Sequence, residues 1–159
     1  MQSVEEEIKE LLTLHNLKLS VAESCSAGGI SSRICAISGS SNYFLGGIVA
    51  YSNISKIRDL SVSESDIMEF TEVSDVVAIQ MAKVVSKKFN SDFSVSTTGY
   101  AGPSGKDVGK VYVSVKSPKT IVVKQFQLAG NRQEITEKIL EKSLEFLLSE
   151  IKLFIFSNK

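Results

Sequence analysis

The sequence predicts an α/β fold: a single three-layer α/β/α domain with a mixed, mainly parallel sheet over residues 1–159. Three observations predict it. Segments with apolar residues at helical spacing alternate with short strand-like runs, the order that builds parallel strand–helix–strand units. GKVYVSV at 109–115 and TIVVKQF at 120–126 are joined only by Lys116-Ser117-Pro118-Lys119, so a hairpin adds antiparallel strands to that sheet. No internal repeat or low-complexity linker divides the 159 residues, a length usual for one domain.

Each element has its own signal. Val4, Ile8, Leu11 and Leu12 predict an amphipathic helix over 3–15, stopped at Asn16. LKLSVAE at 17–23 alternates like a strand. From Ser26, the spacing of Ile30, Ile34 and Ile37 predicts a second helix, ended by Ser38-Gly39. FLGGIVAY at 44–51 reads as a strand whose glycines admit another backbone closely. Residues 53–60 and 63–70 read as short helices, and Ser74 caps a longer one over 75–89, with Val77, Met81, Val84 and Val85 on one side. FSVSTTG at 93–99 is a strand running into the turn-rich GYAGPSGKDVG. Asn131 and Glu134 form a capping box for the last helix, whose apolar face is Ile135, Ile139, Leu140, Leu144 and Leu147.

Composition narrows the function classes. Hydrophobic residues at 43% and charged residues at 23% are those of a globular chain, neither disordered nor fibrous. The 18 basic and 18 acidic residues balance, and no basic stripe suggests a nucleic-acid partner. Glu5-Glu6-Glu7 and Lys87-Lys88 read as solvated helix faces. No signal-like segment is visible, and LFIF at 153–156 is too short to span a bilayer, so the expectation is a cytoplasmic protein without a membrane partner. Cys25, Cys35 and His15 are too few for a four-ligand metal site, and no cofactor is expected. Cys35 is expected as a small buried apolar residue, and His15 as a helix-end residue.

In open α/β sheets, ligands collect at the carboxyl ends of strands. Four polar loops here are candidates. AESCSAGG at 22–29 has glycines that admit a ligand to the backbone, and a helix start with unpaired N–H groups suits a phosphate or an oxyanion. It matches neither the dinucleotide fingerprint nor the P-loop, and a plain strand-to-helix turn is the alternative. GSSNYF at 39–44 is a helix stop from which Ser41 can point a hydroxyl into a cleft. YSNISK at 51–56 ends a strand in Tyr51 and reaches Lys56, a general base if burial lowers its pKa and a solvated helix lysine otherwise. TTGYAGPSG at 97–105 is a rigid loop able to wall a pocket.

AESCSAGG, GSSNYFLGGIVAYSNISK, VSTTGYAGP, VGKVYVSV and GNR follow in order over roughly residues 4–150. Together they resemble the CinA C-terminal-domain family, the nicotinamide mononucleotide deamidases, whose hallmark segments are AESCTGG, GSS, YSN with a nearby Lys, TGIAGP and GDR. The resemblance implies a serine amidohydrolase of pyridine-nucleotide salvage that converts nicotinamide mononucleotide to nicotinate mononucleotide and ammonia, with a Ser–Lys arrangement and no metal. It makes Ser24 the nucleophile and Lys56 its general base, with Ser41 and Tyr51 assisting through hydrogen bonds. Thr98 and Gly99 would hold the nucleotide or the reacting amide, the turn Cys25, Ser26 and Gly28 would bind the oxyanion, and Arg132 would grip the phosphate. That last role has physical support of its own, since a guanidinium and helix-start amides act together on one anion. Cys25 ranks below Ser24 as nucleophile, and Glu23 either orients the site or fixes the turn.

The chain departs from the family pattern at several points. Ser26 replaces Thr and Ala27 replaces the first Gly, the loop after TGYAGP is several residues shorter and carries Tyr100, and GNR lacks the carboxylate of GDR. An amidase acting on another small phosphorylated molecule and an inactive nucleotide-binding module are therefore the alternatives. Family members are commonly dimers or larger, so a homo-oligomer is expected, with LFIF either an interface or packed back on its own domain.

Overall fold

Polar residues ahead of the apolar-periodic segments set where most helices begin. In a computed structural model, which describes residues 1–157, Ser3 and Glu6 close a capping box on α1 (Val4–Leu14). Before α2 (Gly29–Cys35), Gly28 offers no side chain to cap the helix. Ser52 caps α3 (Asn53–Leu60), Ser63 caps α4 (Glu64–Phe70) and Ser74 caps α5 (Asp75–Phe89). Asn131 and Glu134 exchange hydrogen bonds at the start of α6 (Arg132–Ser157). Each such cap satisfies first-turn amides and contributes about 1 kcal/mol.

The strands β1 (Leu19–Glu23), β2 (Phe44–Val49), β3 (Phe93–Gly99), β4 (Lys110–Lys116) and β5 (Ile121–Gln127) form one sheet in the order β2-β1-β3-β4-β5. β1 runs parallel to both β2 and β3, while β3–β4 and β4–β5 are antiparallel, so β4 alone opposes the other four. Helices cover both faces. Ile8, Leu12, Ile30, Ile139 and Leu147 from α1, α2 and α6 pack with Val21, Val95 and Val113. Leu60, Val77, Met81 and Val85 from α3 and α5 pack with Ala22 on the other side.

Strand alternation decides which side chains face which layer. On β3, the hydroxyls of Ser94, Ser96 and Thr98 donate to the carbonyls of Ala82, Ala78 and Glu72, each at 2.6 Å. These short polar side chains bring α5 and the turn before it close to the sheet. Phe93 and Val95 face the opposite layer. The close approach expected at the FLGG glycines is present: a Cβ on Gly47 would lie 3.0 Å from the Val21 carbonyl and 2.8 Å from Ser31 Oγ.

Some boundaries and burials differ from the sequence expectation. The second helix begins at Gly29 and stops at Cys35, before Ile37, because residues 26–28 form the turn. Cys35 is exposed rather than buried. Ile34, at 1% exposure, faces the core, and the next helical position points about 100° away. The strand in 44–51 ends at Val49, and the hairpin strands each start one residue later than expected. His15 caps the end of α1 and is exposed. Within LFIF, Phe154 meets Phe93 edge-on with centroids 5.6 Å apart and Ile155 is buried, so this run packs in part on its own domain. Among the described residues, no helix is long and apolar enough to cross a membrane, and no group of three or more His, Cys, Asp or Glu could hold a metal.

Candidate active site

Parallel register brings the candidate loops to one edge of the sheet. Glu23, the last residue of β1, pairs with Val49 of β2 and Thr97 of β3. Two further backbone bonds fasten the segments that follow: Ala50 N–H donates to the Glu23 carbonyl at 2.8 Å, and Ser24 N–H to the Thr97 carbonyl at 3.1 Å. The turn 24–28, the segment 50–52 and the loop after β3 therefore lie side by side.

Glu23 has a structural assignment. It is fully buried, and its carboxylate accepts from Ile30 N at 2.9 Å, Ser31 N at 3.0 Å and Ser31 Oγ at 2.7 Å. A side chain from the preceding strand thus supplies the cap that Gly28 cannot. The expectation of unpaired amides at the start of this helix is corrected accordingly, because a carboxylate already fills them. Ala27 N donates to the Ser24 carbonyl and Gly29 N to that of Ser26. Within the described residues the amides of Ser26 and Gly28 make no hydrogen bond, which leaves them able to bind an anion.

The turn reverses through two successive left-handed residues, Ala27 at φ 51° and Gly28 at φ 91°. Gly28 takes this conformation freely, whereas the Ala27 Cβ costs about 1 kcal/mol there. Ala27→Gly should raise the unfolding free energy by about 0.5 kcal/mol, the relieved strain being partly offset by a more flexible unfolded chain. Urea unfolding measures it, and a lower midpoint at unchanged slope would contradict the assignment.

Lys56 is 1% exposed, and its ammonium donates to the Tyr51 carbonyl at 3.0 Å. Burial pushes its pKa below the ordinary lysine range, opposed by the nearby Cys25 thiol and Glu72 carboxylate. Cys25, also buried, has its thiol pushed up to about 12, because burial outweighs a Thr97 hydrogen bond and the Lys56 charge. Burial therefore disfavours the thiolate, the form in which a cysteine attacks. The Tyr51 partner of Lys56 belongs to the segment that lies beside the turn carrying Ser24, itself 6% exposed.

Arg132 gathers the rim. Its Nη1 donates to the Gly102 carbonyl and its Nη2 to the Tyr51 hydroxyl at 3.2 Å. Tyr51 therefore serves twice, its carbonyl holding Lys56 and its half-exposed ring meeting Arg132. Ser24, Cys25, Ser26, Gly28, Tyr51, Lys56 and Arg132 are thus brought to one edge.

Ser41 is not among them. It lies in the exposed turn Ser40–Asn42 ahead of β2, at the opposite end of that strand. Six residues of β2 separate it from the site, about 20 Å of extended chain, so its expected assisting role is corrected. The Thr98 hydroxyl is engaged by protein: it donates to the Glu72 carbonyl and fixes the turn before α5. Gly99 pairs with Val111. A Cβ there would meet Val111 Cγ2 at 2.6 Å, which makes its smallness a packing requirement. The threonine that meets the turn carrying Ser24 is Thr97, 2.7 Å from Ser26 Oγ, a residue the sequence motifs do not single out. The period-two pattern of FSVSTTG carries the signal, since Ser94, Ser96 and Thr98 share one face and Thr97 must take the other.

The family model described as CinA C-terminal domain matches residues 1–151. A CinA-like protein of Flavobacterium psychrophilum is 39% identical over 154 residues, covering 94% of this chain and 37% of that protein. A CinA-like protein of Fervidobacterium nodosum is 45% identical over 135 residues, covering 82% of this chain and 33% of that protein. The chain therefore spans about a third of the length of these relatives. Among solved structures, a competence or damage-inducible protein from Enterobacter asburiae superposes with a TM-score of 0.90 at 29% identity, over 95% of this chain and 99% of that one. One from Agrobacterium tumefaciens gives 0.87 at 30% identity, over 94% and 96%. With the matching five-stranded mixed sheet and a profile match over nearly its whole length, the chain belongs to the CinA C-terminal-domain family.

Proposed function

We propose that this chain is an amidohydrolase that converts nicotinamide mononucleotide to nicotinate mononucleotide and ammonia by a Ser–Lys mechanism. The observation that carries the reading is Lys56: a lysine 1% exposed, tied to the carbonyl of Tyr51 in the segment beside the turn that holds the buried Ser24. Neutral Lys56 takes the Ser24 proton as Oγ bonds to the carboxamide carbon. The carbonyl oxygen gains the negative charge, and the Ser26 and Gly28 amides bind it. Collapse of the tetrahedral species breaks the C–N bond, with Lys56 returning its proton to the departing ammonia. Water, deprotonated by Lys56, then attacks the Ser24 ester carbon; the C–Oγ bond breaks as Lys56 returns that proton to Ser24 Oγ, releasing the carboxylic acid, which ionises in water. Arg132, beside Tyr51, holds the phosphate at the rim.

The test is ammonia release from nicotinamide mononucleotide by the wild-type chain. A protein that releases none at high concentration sinks the substrate assignment. A second reading, an amidase on a different phosphorylated carboxamide, rests on Tyr100, whose backbone is fastened to Lys110 and Gly109 in a shortened loop. A panel of phosphorylated primary amides distinguishes the two.

Lys56 also sets the pH dependence. Because its pKa is lowered from 10.5, the neutral base becomes available at lower pH than for a free lysine. Activity should rise with pH along a limb whose midpoint lies below 10.5. A flat profile, or a limb centred at or above the ordinary lysine value, would show that Lys56 is not the base.

A further inference from the structure

We propose that Thr97 is a positioning residue of this site, its hydroxyl orienting the turn that presents Ser24. The inference rests on the Ser–Lys reading given above. Thr97 is fully buried. Its Oγ1 lies 2.7 Å from Ser26 Oγ and accepts from Ser24 N at 3.4 Å, while its carbonyl accepts from the same amide at 3.1 Å.

One hydroxyl therefore bonds two residues of the turn, Ser24 and Ser26, from a strand 71 to 73 positions away. The turn's internal bonds run from Ala27 N to the Ser24 carbonyl and from Gly29 N to the Ser26 carbonyl, and neither reaches the Ser24 amide or the Ser26 hydroxyl. With Ser24 N directed at Thr97, the turn amides left for an oxyanion include those of Ser26 and Gly28, and the Ser26 side chain is anchored by Thr97 as well. Thr97 thus couples the aim of the nucleophile to that of an oxyanion donor. Misplacement by a fraction of an ångström at such a site lowers the rate of the chemical step without weakening ground-state binding. Thr98 gives the internal contrast. It is the same residue type one position on, but its hydroxyl serves the turn before α5.

The experiment compares wild type with Thr97→Val, which keeps the shape and removes the hydroxyl, and Thr97→Ser, which keeps the hydroxyl. Two rates are read: ammonia release from nicotinamide mononucleotide, with kcat and KM separated, and covalent labelling of Ser24 by a small sulfonyl fluoride. Thermal unfolding is followed alongside. The expected result is a 10- to 100-fold lower kcat and slower labelling in Thr97→Val, KM within about threefold, and recovery to within about threefold in Thr97→Ser. If Thr97→Val does not fold, Thr97→Ala takes its place against Thr97→Ser. Wild-type rates in Thr97→Val overturn the proposal, as does a Thr97→Ser variant as slow as Thr97→Val. If wild type is labelled at Ser24 but releases no ammonia, the substrate reading fails and the labelling rates alone decide the role of Thr97. If wild type is neither labelled nor active, both fail.

Discussion

Ser24→Ala and Lys56→Met should each lower kcat for ammonia release at least about 10³-fold, and the double variant should be scarcely slower than either alone. Removing a nucleophile or its base leaves only the catalysis due to binding and oxyanion donors, and residues that act as a unit are strongly non-additive. Ser24→Ala deletes one oxygen from a 6% exposed position and should leave thermal unfolding nearly unchanged. Lys56 needs a different substitution. Its stem lies in a site 1% exposed, so alanine would open a cavity and confuse lost catalysis with lost packing. Methionine keeps most of the volume and removes an ammonium held against its own desolvation, so stability should be retained or slightly increased. Steady-state kinetics with thermal melts measures both. Activity within tenfold of wild type in Lys56→Met would remove Lys56 from the mechanism. Full activity in Ser24→Ala would remove Ser24.

The second large effect falls on stability. Glu23→Ala should lower the unfolding free energy by about 3–5 kcal/mol, because it strands the buried amide of Ile30 and the part-buried amide of Ser31 and opens a cavity. Glu23→Gln is the sharper test. It preserves volume and one acceptor but sets an NH₂ group against a donor, which costs about 2–3 kcal/mol. Urea unfolding at fixed pH measures both changes. A Glu23→Gln loss below about 0.5 kcal/mol would show that α2 does not depend on this cap. Activity in Glu23→Gln should fall along with stability, since the same helix start bounds the turn carrying Ser24, Ser26 and Gly28.

Much of the fold was legible from local pattern. Helix boundaries were read best where a capping side chain lies three residues from the amide it serves, as at Ser74 and Asn131. Such interactions are written in adjacent positions, so residue type and spacing suffice. α2 was misread at its start for the complementary reason. Its cap comes from Glu23, seven residues before Ile30 and across a turn whose geometry depends on Ala27 and Gly28 being left-handed.

The site divides along the same line. The residue chemistry of Ser24, Lys56 and Arg132, and the motif order that the family shares, are present in the chain as text. Whether Lys56 is a solvated helix lysine or a buried base was not, because burial depends on α3 packing against the end of the sheet. Nor could motif order tell that Ser41 sits at the far end of β2 while Ser24 lies at the near end. Parallel register decides that. Arg132 and Tyr51 meet across 81 positions, and Ser26 and Thr97 across 71. Contacts of that separation exist only once both faces of the sheet are covered and the strands have fixed register. Sequence therefore supplied the local elements and the reactive groups, and the packed sheet decided which of those groups face one another.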